Sequence, residues 1–252
     1  MHGNAAQNTH NVVLRELLAR VSAGSVLDAP CGAGHLANRM SDAGLDVIGF
    51  DIDSPVEVGK FDFRHADLSA ALPMRDGAVE NLVSVEGIEH LERPFEFVRE
   101  CNRVLVEGGL MIMTTPNISS LRSRWRWLLT GFHNKSKYAL DETNPNPLHH
   151  INMMSHHRLR YILHTNGFRM EKITTNRIKA INWLYLPLVP FVYMVSRIVI
   201  ALARDDEINR PVSREILGEM MRPALLFGEL MIVVARKENP SPAAATMGAN
   251  QP

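Results

Sequence analysis

The chain predicts a doubly wound α/β fold: a mostly parallel sheet with helices on both faces. Three observations carry this. Short apolar runs alternate with helical stretches, a Gly-bearing turn follows the first run, and an acid ends the second. Parallel neighbours need crossover helices, so this alternation is what a two-faced sheet requires.

Residues 11–21 (NVVLRELLARV) place Val12, Leu14, Leu17, Leu18 and Val21 at helical spacing and predict an amphipathic entry helix. Residues 25–29 (SVLDA) read as the first strand, followed by a glycine turn and a helix through Met40. Residues 46–50 (DVIGF) form the second strand, which stops at Asp51. Further strands are expected at 80–85 (ENLVSV) and, after a Gly-Gly turn, at 109–115 (GLMIMTT). Between them 94–105 reads as a helix with Pro94 in its first turn. A helix over 155–165 is expected to stop at Asn166-Gly167, a suitable left-handed end. Residues 168–174 and 229–235 (ELMIVVA) give the last two strands, and the composition from Glu238 onward suggests a disordered tail, 238–252.

The 252 residues are 46% hydrophobic and 21% charged, with 27 basic and 27 acidic side chains. That balance argues against a disordered or strongly polyanion-seeking protein, while leaving room for a local basic patch. Cys31 and Cys101 are too few for a disulfide scaffold or a four-cysteine zinc site. With the polar stretch Met1 to His10, which lacks the pattern of a secretory signal, they point to a cytoplasmic location.

The chemistry begins at Asp28-Ala29-Pro30-Cys31-Gly32-Ala33-Gly34, where a strand hands over to a helix. Gly32 and Gly34 allow a ligand to approach the backbone closely, and Asp51 can accept hydrogen bonds from ribose hydroxyls. A nucleoside-bearing ligand is implied. Gly32 to Ala37 also satisfies the dinucleotide pattern G-x-G-x-x-G/A. Asp28, however, puts negative charge where a pyrophosphate would sit, which favours an ammonium or sulfonium group instead. No Lys-Ser or Lys-Thr follows the glycines, so a P-loop is excluded.

In these motifs the chain resembles the class I S-adenosylmethionine-dependent methyltransferases, in particular the branch with ubiquinone-biosynthesis and small-molecule or sugar O-methyltransferases. Val26 to Gly34 is similar to the family's first motif, with Pro30 in place of its first glycine. Gly49-Phe50-Asp51 resembles the ribose-binding motif, and Ala66-Asp67-Leu68 the loop whose acid accepts from the adenine amino group. Val85 to His90 resembles the stretch beside the methionine end of the donor. Arg103 to Gly109 resembles the turn into the fifth strand, with Val106-Glu107 where Lys-Pro is usual, and Thr115-Pro116-Asn117 matches the segment leaving that strand. The resemblance implies a Rossmann-like, mostly parallel seven-stranded sheet and S-adenosylmethionine as cofactor. The implied binding residues are Asp28, Gly32, Gly34, Asp51, Ile52, Asp67, Leu68 and Glu86.

Methyl transfer is an in-line displacement that demands orientation and exclusion of water, and a hydroxyl acceptor also needs a base. His90, His149 and His150 are the candidate catalytic residues, while His156 and His157 read as surface or capping residues. No thiolate spacing supports zinc, and no metal site is expected. The Asn/Asp-Pro-Pro-aromatic motif of base N-methyltransferases is missing, and Cys31 lies in the wrong place for a C5-base nucleophile. An oxygen on a small, lipid-linked or sugar acceptor is favoured over nucleic acid. An RNA acceptor and a non-catalytic donor-binding protein are the alternatives.

Between Glu107 and Asp141 there is no acid, while Arg122, Arg124, Arg126, Lys135 and Lys137 alternate with Trp125, Trp127, Phe132 and Tyr138. Such a patch suits phosphate groups. Residues 181–203 are apolar except for Arg197, but Pro187 and Pro190 interrupt them. A strand expected after this stretch argues against a single span. A hairpin or interfacial anchor on an anionic membrane, a buried lid or a homodimer contact remains. The expected organisation is one domain, 1–237, with an acceptor-side lid at 116–155 and an apolar insertion at 181–222. The expected location is cytoplasmic and peripheral to the inner face of the membrane.

Overall fold

A computed structural model describes residues 5–54, 59–136, 138–202 and 209–238. Along the chain it has α1 (Thr9–Leu18), β1 (Ser25–Asp28), α2 (His35–Asp42), β2 (Asp46–Asp51), β3 (Asp62–His65), β4 (Val79–Val85), α3 (Pro94–Val104) and β5 (Leu105–Pro116). Then follow α4 (Leu121–Thr130), α5 (His156–Thr165), β6 (Phe168–Thr174), α6 (Val189–Leu202), α7 (Asn209–Met220), α8 (Pro223–Phe227) and β7 (Leu230–Lys237). Short 3-10 helices occupy Ile88–His90 and Ala180–Leu188.

The seven strands form one sheet in the order β3-β2-β1-β4-β5-β7-β6. All neighbours are parallel through β5, and β7 runs antiparallel to both β5 and β6. The order reverses between β1 and β4, and that switch point leaves a crevice outside the strands' carboxyl ends. Alternation along β5 divides the core. Met111 and Met113 pack with Leu27, Phe97 and Leu163 on the α3/α5 face, whereas Leu110 and Ile112 pack with Val13, Leu36 and Met40 on the α1/α2 face.

Several boundaries differ from the sequence expectation. β3 has no apolar run to announce it: it is an edge strand, and Asp62, Arg64 and His65 are exposed. β5 begins at Leu105, directly after α3, so the Gly-Gly pair lies within the strand, with Gly108 at φ 73°. α1 is displaced toward the amino terminus. It is tied down by Glu16, which accepts 2.9 Å hydrogen bonds from Lys172 on β6 and Arg20.

His156 overturns the expectation of a surface residue. It is buried, Ser155 supplies the cap, and the His156 Nε2 lies 2.8 Å from Glu219 on α7. Arg160, 7% exposed, reaches the same carboxylate at 2.8 Å and Glu215 at 3.1 Å. This cluster fastens the insertion to the sheet's helical layer. The uncharged imidazole is favoured by burial, against the pull of Glu219. Residue 137 and the tail from 239 onward lie outside the described residues.

Removing one member of a buried ion cluster leaves the others uncompensated. Glu219→Ala is expected to cost about 3 kcal/mol, a typical figure for such a loss, read as a lower urea midpoint. A variant unfolding with the wild type would show that α7 is not anchored there.

Candidate functional site

The carboxyl ends of β1, β2 and β4 open onto a cavity of about 840 Å³, a size that suits a nucleoside-bearing ligand. Asp28, Gly32, Asp51, Ile52, Asp67, Leu68 and Glu86 all line it. Gly34 is absent from the lining; at φ 85° it makes the turn that starts α2. Gly32 is also left-handed, at φ 53°, and its N–H donates to Asp51 Oδ2 at 2.8 Å. The turn and the acid are thus one unit. Asp51 Oδ1 accepts from the Asp53 N–H at 3.1 Å, and Asp67 Oδ1 from the Ser69 N–H at 2.8 Å. These bonds fix both carboxylates and leave lone pairs for hydroxyl or amine donors.

Asp28 is different. It is 1% exposed, and neither carboxylate oxygen has a hydrogen-bond partner. Burial, and then the charge on Asp51, hold its pKa well above the ordinary carboxylate value. A cation entering the cavity would supply the missing charge. An ammonium or sulfonium ligand therefore fits this donor set, and a pyrophosphate does not.

Beyond β4 the backbone is tightly constrained. Glu86 sits at φ 47°, its N–H donates to Thr114 Oγ1 at 2.9 Å, and its Oε2 accepts from the Ala6 N–H at 2.8 Å. A Cβ on Gly87 would lie 2.4 Å from Pro30 Cδ, so glycine is needed to bring this loop against the donor-side turn.

The acceptor side assembles two of the three candidate histidines. His90 and His150 line the cavity with their rings edge to face, 4.8 Å between centroids. His149 is not in the lining. Its carbonyl accepts from His90 Nδ1 at 3.1 Å, so in the neutral ring Nε2 carries the free lone pair. Burial holds His90 below the ordinary imidazole value, against the pull of the His149 and Glu86 carbonyls. It takes His150 down to about 4, with help from His90 and Lys135. Both rings are therefore neutral near pH 7.

Three contributors go beyond the residues the sequence singles out. Glu89 is fully buried, and burial raises it to about 8, against the pull of its own backbone N–H and the Thr115 side chain. Its carboxylate and the His90 and His150 rings offer ligand atoms within 4.8 Å of one another. That nitrogen and oxygen set is chemically suited to a divalent cation. Without a cation Glu89 holds a proton at neutral pH. The expectation of no metal rested on cysteine spacing, and this set contains no cysteine. Glu89 stands behind the lining, whereas residues 146–148 and Ala5 line the cavity itself. The first segment lies within the proposed lid and is held near the site by Asn152, whose N–H donates to the Glu89 carbonyl at 2.9 Å. Only folding could bring these segments to the glycine turn.

A family model described as a methyltransferase domain matches residues 4–173. A Mycolicibacterium smegmatis protein named "Probable S-adenosylmethionine-dependent methyltransferase" is 35% identical over 140 residues, 53% of this chain and 54% of that one. A Roseobacter denitrificans ubiquinone biosynthesis O-methyltransferase is 29% identical over 132 residues, 45% of this chain and 53% of the relative. The chain thus spans about half the length of these curated relatives. Among solved structures, a SAM-dependent methyltransferase from Archaeoglobus fulgidus superposes with TM-score 0.55 at 23% identity, covering 91% of this chain and 95% of that one. A Burkholderia thailandensis N1-methyltransferase solved with S-adenosylhomocysteine gives 0.52 at 12% identity, covering 91% and 77% respectively. These two likenesses concern the fold.

A carboxyl whose folded pKa exceeds its unfolded value costs stability above the unfolded pKa, because the unfolded chain releases that proton more readily. Asp28→Asn is therefore expected to melt no lower than wild type at neutral pH while binding S-adenosylhomocysteine roughly tenfold more weakly or worse. Calorimetry and a pH series of melting curves check both; unchanged affinity would contradict this role for Asp28.

Proposed function

The chain belongs to the methyltransferase-domain family, with S-adenosylmethionine as its cofactor, and from that premise we propose that it methylates a hydroxyl oxygen of a small, lipid-linked or sugar acceptor at a membrane surface. One observation carries the oxygen assignment. A neutral imidazole, His90, has its tautomer set by the His149 carbonyl and lines the same cavity as the unpartnered carboxyl of Asp28. When bound, the cofactor supplies an electrophilic methyl group on a sulfonium.

The protein's own residues do the rest. Asp28 offers negative charge to the cationic end of the donor, and Asp51 and Asp67 present carboxylates to its ribose and adenine donors. His90 Nε2 receives the proton that an acceptor hydroxyl gives up, and the 146–150 segment excludes water from that side. His150 supports the His90 ring by its edge-to-face contact.

Support for the membrane comes from the insertion. Ala180–Leu202 has a mean hydropathy of 1.8 over its most apolar window, none of which is buried. Leu184 is 72% exposed and Phe191 61%. This runs against the buried-lid reading. β6 and β7, which flank the insertion, are paired in one sheet, so the chain leaves and returns on the same side. An interfacial lie fits that constraint, and α4, which packs against Ala180–Leu188, brings Arg122 and Arg126 beside the insertion for anionic headgroups. Two Trp side chains on α4, Trp125 and Trp127, are half exposed and suit the same interface.

Incubating the protein with methyl-labelled donor and a membrane extract should label a lipid-phase product; absence of transfer to any fraction would refute the activity. His90→Gln should lower kcat by roughly a hundredfold or more with S-adenosylhomocysteine affinity intact. In wild type, the acidic limb of the kcat/KM profile should fall below the ordinary imidazole pKa of about 6.5, because burial lowers His90.

For the membrane, the double variant Leu184→Asp/Phe191→Asp should stay in the supernatant when wild type sediments with anionic vesicles. Its affinity for S-adenosylhomocysteine should be unchanged; equal sedimentation would remove the interfacial reading.

A further inference from the structure

A second, smaller cavity of about 180 Å³ lies between the ends of β5 and β7, the start of α4 and the start of the apolar insertion. We propose that it binds the phosphate group of a hydroxyl-bearing, lipid-anchored acceptor, reading the headgroup while the insertion holds the chain. The inference rests on the acceptor reading above and deepens it.

Two features of the lining point to this ligand. The first is an excess of cations. Arg122, Lys135 and Lys179 line the cavity, against the single carboxylate of Glu229. Glu229 is fully committed: it accepts from Arg177 and from Lys179 at 3.0 Å, and stands 3.5 Å from Lys135. These partners outweigh its burial and bring its pKa down to about 2. Arg122 has no ion-pair partner among the described residues. Even after the Glu86 carboxyl, 4.0 Å from Lys135, is counted, positive charge remains for an anion.

The second feature is a pair of amide oxygens. Asn117 and Asn182 are each 4% exposed, both line the cavity, and the Oδ1 atom of each is buried without a hydrogen-bond partner. Their orientation is set from the other side. Asn117 Nδ2 donates to the carbonyls of Leu225 and Gly228 at 3.0 and 3.1 Å, and Asn182 Nδ2 donates to that of Phe227. Reversing either amide would aim an oxygen at carbonyls, so both Oδ1 atoms must accept from something else. Ionised phosphoryl oxygens only accept, so the donors these amides need come from hydroxyls, and a phosphate ester carrying hydroxyls meets both demands.

The location ties the cavity to the two systems beside it. Lys135 joins it to Glu86 of the donor cavity, and Lys179 and Asn182 open the apolar insertion. A headgroup held here lies between the membrane-facing segment and the donor.

The test uses the full chain, vesicles of phosphatidylglycerol or phosphatidylcholine, and glycerol 3-phosphate as the soluble form of the same headgroup chemistry. Wild type should bind the phosphatidylglycerol vesicles at least tenfold more tightly than phosphatidylcholine ones, and glycerol 3-phosphate should bind with a Kd of about 1 mM. Arg122→Ala should weaken both by about tenfold, Arg122→Lys should recover most of the loss, and Asn182→Leu should weaken glycerol 3-phosphate but not inorganic phosphate. Arg126→Ala, outside the cavity, serves as the control for general attraction to anionic vesicles: it should weaken vesicle binding by about fivefold at most and leave glycerol 3-phosphate binding unchanged. S-adenosylhomocysteine affinity should be intact in every variant.

No glycerol 3-phosphate binding, equal effects of Arg122→Ala and Arg126→Ala, or displacement of glycerol 3-phosphate by S-adenosylhomocysteine would overturn the site. Glycerol 3-phosphate bound as tightly as the vesicles would overturn its lipid assignment. Phosphate-ester binding is read without methyl transfer, so a failed labelling experiment sinks the activity while leaving this result to stand or fall separately.

Discussion

Asp28 is a carboxyl group buried at the end of a central strand with nothing donating to it, and the surrounding construction follows from that deficit. An unpaired buried polar group costs roughly 1–3 kcal/mol even when it gives up its charge. The parallel strand order sustains the cost, because β1 is flanked by β2 and β4 and cannot turn its last side chain to solvent. Asp51, a strand away, raises the cost further by opposing the charge on Asp28. The result is a cavity electrostatically prepared for a cation before any ligand arrives, with affinity drawn from relief of stored unfavourable energy.

The acceptor side uses the same economy of burial with two imidazoles and an acid beside them. His90, His150 and Glu89 are all pushed toward their neutral forms, each by burial first. One side of the cavity thus attracts positive charge while the other is poised to exchange protons. Separate segments deliver the two walls: the donor side comes from the turns after β1 and β2, the proton-exchanging side from the turn after β4 and the 146–150 stretch. The contact of Gly87 with Pro30 sets how closely they meet.

The insertion adds a third physical regime to the same molecule. The exposed apolar side chains of Ala180–Leu202 contrast with the buried run along β7. What separates them is anchoring. β7 is hydrogen-bonded on both sides, while α6 leans Val189 and Val192 on the Leu121, Leu226 and Phe227 cluster and fully buries no residue. The Glu219 cluster ties α7, at the far end of the insertion, to α5.

The sequence by itself determined the alternation of strands and helices, the glycine turn and the acids Asp28, Asp51 and Asp67, because those features depend on local spacing and on which backbone angles a residue tolerates. It also marked His90, which lies beside the turn after β4. It missed β3, whose exposed edge position leaves no apolar pattern, and it misread His156, whose burial depends on Glu219, 63 residues away. Glu89 lies within the Val85 to His90 stretch, but its chemistry comes from being enclosed. Tertiary structure alone decided that His149 would contribute a carbonyl rather than a ring, and that the buried amides Asn117 and Asn182 would meet the cations of the second cavity. The physical reason is the same in each case: charge state, tautomer and hydrogen-bond satisfaction depend on neighbours and solvent access, which the fold sets through contacts remote in sequence.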